Sequence, residues 1–247
     1  MVRVASYNIR KSIGTDWQRR PSRVLAVLRA LDADVVALQE ADRRFGARTS
    51  SLPPDLIARE TDYKPVRLAG RPTSLGWHGN AILVRRSIEI VDQERLHLPA
   101  LEPRGAVRAD LRVEGLTLRV VAMHLGIVGF WRRRQARSLL DRLTAMEVLP
   151  TVMLGDLNEW NNDGGLFAHF AELHHVTDPG PSFHSQWRIA SLDRIITSLD
   201  LKIEASGVVD TPEARLASDH LPVWADLSPL PQPAGQIREA LAKSTSS

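Results

Sequence analysis

The chain has 247 residues, with 32 Lys or Arg against 29 Asp or Glu, a formal net charge of +3 and a pI of about 9.7. That near-balance excludes a strongly basic nucleic-acid arm or an acidic tail as the dominant feature. The absence of cysteine excludes disulfides, thiolate zinc sites, iron–sulfur clusters and a cysteine nucleophile.

At this length about 73% of the unfolded chain's surface is expected to be buried, so a large core forms without staples. A strand is predicted at 2–9, with Val4-Ala5-Ser6-Tyr7 leading into Asn8. Helix 21–31 starts on Pro21 in its first turn and places Val24, Leu25, Val27, Leu28 and Leu31 along one side. Strand 34–39 runs out into Glu40, and a short helix is expected near Leu56. Strands follow at 80–85, 88–96, 106–113 and 116–124, the last closing on His124. Helix 131–146 gathers Leu139, Leu140, Leu143 and Met146 on one face and leaves Arg132, Arg133, Arg134, Arg137 and Arg142 for water or anions. Beyond it come strands at 151–154, 192–197, 203–209 and 222–227, with a short helix near Leu166.

Helices that fall between strands, rather than in one block, predict an α/β (α+β) sandwich of packed sheets covered by helices. No internal repeat and no linker interrupt the pattern, so one domain is expected at 1–228. A flexible Pro- and Ser-rich tail is expected over 229–247, with at most a short helix near Ile237. The first residues run straight into a strand and lack the apolar stretch of a signal peptide. The most apolar segment, 120–131, is interrupted by His124 and falls short of the roughly 18 residues of a membrane span. A cytoplasmic protein without integral membrane association, acting as a monomer, is the expectation. The basic residues are 28 Arg and 4 Lys. Guanidinium forks suit phosphate oxygens, although a genome's codon bias gives the same count.

The informative polar groups close apolar strands: Asn8, Glu40, His124 and Asp156. One such residue is what any strand end needs, but four in series predict a single rim carrying carboxylates, an amide and an imidazole. Asp156 and Asn158 stand at strand positions i and i+2, facing the same way, and Gly155 before them permits a close backbone approach. Near the C-terminus, Asp193 opens an apolar strand, and Asp219-His220 precedes a strand that starts on Pro222, where a proline is tolerated.

These residues resemble the endonuclease/exonuclease/phosphatase superfamily with its DNase I-like four-layer sandwich. The matching segments are Ser6-Tyr7-Asn8, Leu38-Gln39-Glu40, His78-Gly79-Asn80-Ala81-Ile82-Leu83, Arg104-Gly105-Ala106, Met123-His124-Leu125, Leu154-Gly155-Asp156-Leu157-Asn158, Leu192-Asp193-Arg194-Ile195 and Ser218-Asp219-His220-Leu221-Pro222-Val223. They occur in the family's order, and the ordered set is far more specific than any one tripeptide. The resemblance implies that Glu40, with Asn8 and Asp219, holds a divalent cation, Mg²⁺ or alternatively Mn²⁺, through hard oxygen ligands. It implies that Asp156 and Asn158 position the attacking water and help hold a second ion. His220, oriented by Asp193, is the implied catalytic histidine, with His124 on the phosphate and Arg104 supporting the site.

His78 and Asn80 match substrate-facing positions, and Trp160 and Trp187 are placed in sequence to stack on a base or press on a lipid, though packing under a loop is as common a use. His169, His174, His175 and His184 show no metal-ligand spacing and are expected to be solvated or structural. The implied function is a metal-dependent phosphodiesterase acting on an anionic phosphodiester. Nucleic acid is the first expectation and a phospholipid or sphingomyelin headgroup the second, with a non-catalytic binding protein of the same fold as the third. The lead-in of inositol polyphosphate 5-phosphatases is absent before Asp193, and the continuation Glu159-Trp160 differs from that of abasic-site endonucleases. The chain resembles the short bacterial members, for which fold does not fix substrate.

Overall fold

Strict period-two alternation divides the strands between cores. In β1 (Val2–Asn8), Val2 and Val4 join one apolar cluster while Ala5 and Tyr7 join another, so Ser6 and Asn8 face the same way as the valines. The structure, a computed structural model, describes residues 1–99, 102, 104–161 and 165–230. In chain order the elements are β1, α1 (Pro21–Leu31), β2 (Val35–Gln39), α2 (Pro54–Glu60), β3 (Tyr63–Pro65), β4 (Ala81–Arg85), β5 (Glu89–Leu96), β6 (Gly105–Val113), β7 (Leu116–His124), α3 (Gly129–Thr144), β8 (Thr151–Asp156), α4 (Gly165–Ala171), β9 (His174–Thr177), β10 (Asp193–Ser198), β11 (Leu201–Val208), α5 (Pro212–Ala217) and β12 (Val223–Pro229).

Two six-stranded sheets result, ordered β11-β12-β1-β2-β4-β3 and β5-β6-β7-β8-β10-β9. Each is antiparallel except for one central parallel pair, β1–β2 in the first and β7–β8 in the second, joined by α1 and α3 respectively. Val4, Val35, Ala37 and Ile82 of the first sheet pack on Val107, Val120, Ala122, Val152, Leu154 and Ile195 of the second. The outer face of the first sheet is covered by α1, α2 and α5 and that of the second by α3 and α4. This is the four-layer sandwich that the resemblance implies. Each buried large apolar side chain contributes roughly 1.5–3 kcal/mol relative to exposure, and the inter-sheet layer is built almost entirely of such residues.

Three short elements go beyond the predicted set. Both β3 and β9 are edge strands of three and four residues, one ending on a proline and one opening on His174-His175, too short and too polar for period-two detection. Helix α5 is six residues long, and its signal was present: Thr211 caps it, its side chain accepting from the Ala214 amide, and Pro212 takes the first turn. Helix α3 starts two residues before the predicted boundary. Its arginines do not form one free face. Arg132 is buried and pairs with Glu159 at 3.1 Å, and Arg142 pairs with Glu94 at 2.6 Å, because Ala136 and Leu139 turn this side of the helix onto the sheet. Strand β12 continues through Pro229, past the boundary expected at 228. The rest of the predicted tail, 231–247 with its short helix near Ile237, lies outside the described residues.

At the centre of the second sheet Gly155 pairs with Met123 of β7, and a Cβ there would stand 1.8 Å from the Met123 carbonyl oxygen. No side chain fits without parting β7 from β8. Gly155→Ala is therefore expected to destabilise the fold by about 3 kcal/mol, the upper range of overpacking, read by urea denaturation. A variant as stable as the parent would show that the two strands part at no cost.

Candidate active site

The parity that buries the valines also assembles the polar rim. Asn8 follows Val2 and Val4 on the inward side of β1, His124 follows Val120 and Ala122 on β7, and Asp156 follows Val152 and Leu154 on β8. Asp193 opens the inward side of β10 ahead of Ile195. His124, Asp156 and Asp193 lie on one rung, since His124 pairs with Asp156 in the parallel ladder and Asp156 with Asp193 in the antiparallel one. The two sheets meet at this end, where the Asn8 Nδ2 donates across the interface to Asp156 Oδ2 at 2.9 Å.

Asp156 is the hub. Its Oδ2 also lies 3.2 Å from His124 Nε2 and 3.7 Å from His220 Nε2, and its Oδ1 accepts from the Asn158 amide at 2.9 Å. Burial would raise this carboxyl, but the His124 and His220 imidazoles outweigh it and hold Asp156 well below the usual carboxylate range. His220 bonds through Nδ1 to Asp193 Oδ2 at 2.8 Å. Burial by itself lowers an imidazole, yet Asp193, Asp156 and Asp219 together push His220 up to about 10, so it stands as imidazolium at neutral pH. Asp193 is held in turn by the Ser182 hydroxyl, which donates to Oδ2 at 2.6 Å.

Glu40 lies just past β2 in left-handed conformation, φ 52°. The turn after β1 has three consecutive left-handed residues, Arg10, Lys11 and Ser12, each costing about 1–2 kcal/mol in an L-residue, and it brings the Lys11 ammonium onto the Glu40 carboxylate. Burial would raise Glu40, but His124, Lys11 and Arg104 prevail and lower it. Gly79 passes so close that a Cβ would meet Glu40 Cα at 3.3 Å, and the φ of 82° at Gly79 is one that glycine adopts freely. Arg104 is buried against His124, 3.5 Å from Glu102 and 4.0 Å from Glu40. Asp219 pairs with Arg10 at 3.2 Å, and the Ser218 hydroxyl donates to the Asn8 carbonyl oxygen at 2.7 Å, tying the two segments together. Asn158, also left-handed at φ 51°, donates through Nδ2 to the Leu125 carbonyl oxygen at 2.9 Å.

The structure thus brings together Asn8, Glu40, Arg104, His124, Asp156, Asn158, Asp193, Asp219 and His220. His78 lines a cavity of about 230 Å³ together with Lys11, Glu40, Arg104 and His124. Asn80 is set beneath the surface, fully buried, with Nδ2 donating to the Gly105 carbonyl oxygen at 3.0 Å, so it ties β4 to β6 instead of facing a substrate. Trp160 and Trp187 are not packed under loops: both stand exposed, linked through Phe183 and His184, with Phe183 centred 5.0 Å from the His220 ring. His184, expected to be merely solvated or structural, belongs to this wall, and burial lowers it even with Asp219 nearby. Sequence reasoning missed Lys11, Arg10 and Ser182. Lys11 carried a signal, one of four lysines among 28 arginines and three residues past Asn8; Ser182 carried none.

The donor set fits a divalent cation. Glu40, Asp219 and the Asn8 amide supply hard oxygens, and the chain's own Lys11 and Arg10 stand against the two carboxylates, marking where positive charge is stabilised. Among the described residues no three His, Asp or Glu side chains converge on one ion-sized point.

A family model for the endonuclease/exonuclease/phosphatase family matches residues 5–220. Escherichia coli K12 protein YbhP, itself uncharacterized, is 26% identical over 220 residues, covering 81% of this chain and 85% of that protein. An endonuclease/exonuclease/phosphatase from Beutenbergia cavernae superposes with a TM-score of 0.73 at 23% identity, over 95% of this chain and 73% of that one. The mannosyl-6-phosphatase of Bacteroides thetaiotaomicron gives 0.73 at 18%, over 92% and 100%. The human Nocturnin catalytic domain with bound sulfate anion gives 0.70 at 21%, over 92% and 94%. At these identities the structural likeness establishes the fold.

Ser182→Ala removes one of the buried partners of Asp193 and is expected to lower stability by about 1 kcal/mol, read by thermal denaturation, while reducing turnover less than loss of His220 itself. Unchanged stability and turnover would remove Ser182 from the support of the histidine.

Proposed function

Because the chain belongs to the endonuclease/exonuclease/phosphatase family, whose members generally hydrolyse phosphoester bonds and typically depend on a divalent metal, we propose that it is a divalent-metal-dependent phosphodiesterase using water as nucleophile. The observation that carries this reading is the His220 imidazole, bonded to Asp193 on one side and facing Asp156 on the other.

Hydrolysis of a phosphate ester develops negative charge on the phosphoryl oxygens, and the groups that stabilise it must already be cationic and fixed. His220 meets both conditions: Asp193 orients the ring through Nδ1, and the surrounding carboxylates keep it protonated, leaving Nε2–H to donate to a non-bridging oxygen. Asp156 is a poor proton acceptor, since its neighbours hold its carboxyl so low, and its work is to align the two imidazoles and, with Asn158, the attacking water. His124 and Arg104 present further positive or donor groups on the cavity side. Glu40, with Asn8 and Asp219, would hold the metal ion, which supplies Lewis-acid charge neutralisation and lowers the pKa of bound water. The same fold carries a mannosyl-6-phosphatase in Bacteroides thetaiotaomicron, so the diester preference rests on the open, aromatic-flanked rim and not on the fold.

Purified protein is expected to hydrolyse bis-p-nitrophenyl phosphate with Mg²⁺, faster than p-nitrophenyl phosphate, and to lose the activity in EDTA. Hydrolysis undiminished by EDTA, or a preference for the monoester, would overturn the reading. His220→Ala or Asp156→Ala is expected to lower kcat by a factor on the order of 10² or more, the scale of losing an oxyanion donor or a positioned acid–base group. Near-parental turnover would remove that residue from the mechanism.

A further inference from the structure

Every exposed Trp or Phe among the described residues lies in a segment adjoining the ends of the strands that carry the candidate catalytic groups. Trp17 follows β1, Phe45 follows β2, Phe130 follows β7, Trp160 follows β8 and Trp187 precedes β10, with exposures from 54% to 85%. The branched aliphatic residues Ile127, Val128 and Ile189 are exposed in the same loops. The segments after β1 and β8 and before β10 touch one another, and Arg132 at the start of α3 meets Glu159 beside Trp160. Gln186 reaches Thr15 at 3.4 Å, the Arg10 guanidinium lies 4.4 Å over the Trp17 ring and also pairs with Asp219, and Trp160 leads through Phe183 to His220. Folding gains nothing by leaving such side chains in water, and a cluster of this composition marks a surface meant to be covered.

Charge says by what. Arg43, Arg133, Arg134 and Arg137 are exposed on these same loops and the first turns of α3, and among the described residues none has a carboxylate partner. Arg134 instead lies over the Phe130 and Trp131 rings, near 5.5 Å. Aromatic rings with unpaired arginines also suit stacked bases, but Ile127, Val128 and Ile189 have no π-face to offer a base. Branched aliphatics set among Trp, Phe and Arg compose a surface that enters just below the headgroups of an anionic bilayer.

We propose that the catalytic face is an interfacial docking surface for an anionic phospholipid bilayer, which presents a lipid phosphodiester to the His220–Asp156 site. The proposal rests on the phosphodiesterase reading for its substrate and on the loops alone for its surface. No helix among the described residues is long and apolar enough to cross a membrane.

The test is flotation of the full chain with vesicles of phosphatidylglycerol and phosphatidylcholine, with pure phosphatidylcholine vesicles and single-stranded DNA in parallel and bis-p-nitrophenyl phosphate as the soluble activity control. The parent is expected to float with the anionic vesicles and to release as salt rises. An Ile127→Ser/Phe130→Ser variant is expected to keep its soluble turnover while its vesicle-bound fraction falls about tenfold or more. Arg133→Gln/Arg134→Gln is expected to lose the preference for anionic over neutral vesicles. Absence of flotation, a serine variant that floats like the parent, or capture of single-stranded DNA in place of vesicles would overturn the docking surface. Soluble hydrolysis without flotation sinks the docking surface alone; flotation without hydrolysis supports the surface and sinks the phosphodiesterase reading.

Discussion

A buried carboxylate costs several kcal/mol unless its neighbours repay the lost water, and in this fold the repayment is made from both sheets at once. Asp156 lies on the second sheet; the amide that meets it comes from Asn8 on the first, one imidazole from the neighbouring strand β7, and another from the segment leading into β12. Remove any partner and a charge is left short at a buried position. The gap between the sheets at this end is therefore fixed by hydrogen-bond length, while farther in it is fixed by valine and leucine side chains.

Much of this was legible in the sequence because period-two patterning and site chemistry share a cause. The inward parity that makes Val152 and Leu154 apolar makes Asp156 the first inward position beyond the core, and the same holds for His124 after Ala122, while on β1 the inward Ser6 stands between Val4 and Asn8. What parity does not reach is the loops. Lys11 comes to Glu40 only through three left-handed residues in succession, a conformation that no propensity favours. Ser182 reaches Asp193 across an intervening loop, and Asn80 turned inward to bind the Gly105 carbonyl, neither of which a spacing rule encodes. The arginine row of α3 misled for a related reason: helical spacing gives the face, but the partner that makes Arg132 structural, Glu159, comes from another loop.

The count of charges changes meaning in the folded protein. Arg108, Arg119 and Arg132 are buried and matched by Asp92, Asp110 and Glu159, so a share of the basic excess is internal scaffolding with nothing left over for ligands. Such pairs specify geometry more than they stabilise, since desolvation offsets most of their attraction. Among the described residues, Arg43, Arg133, Arg134 and Arg137 are exposed without a carboxylate partner in the segments that follow β2 and β7, beside the candidate site. A near-neutral chain has thus segregated its charge, and the segregation, not the sum, carries the functional information.

The two sheets have the same strand order, with each number of the first shifted by six around the chain. They differ in one respect that matters during synthesis. The second sheet is built from a continuous stretch, β5 through β10, whereas the first joins its opening strand to its last, with Val2 beside Leu227. A nascent chain can therefore complete the second sheet while β1 still lacks its outer neighbour and exposes an unpaired edge. His220 emerges just three residues ahead of the strand that covers that edge. Closure of the fold and arrival of the histidine between Asp156 and Asp193 are then a single late event, and a ribosome-bound chain lacking its last strands holds most of the rim without the imidazole that completes it.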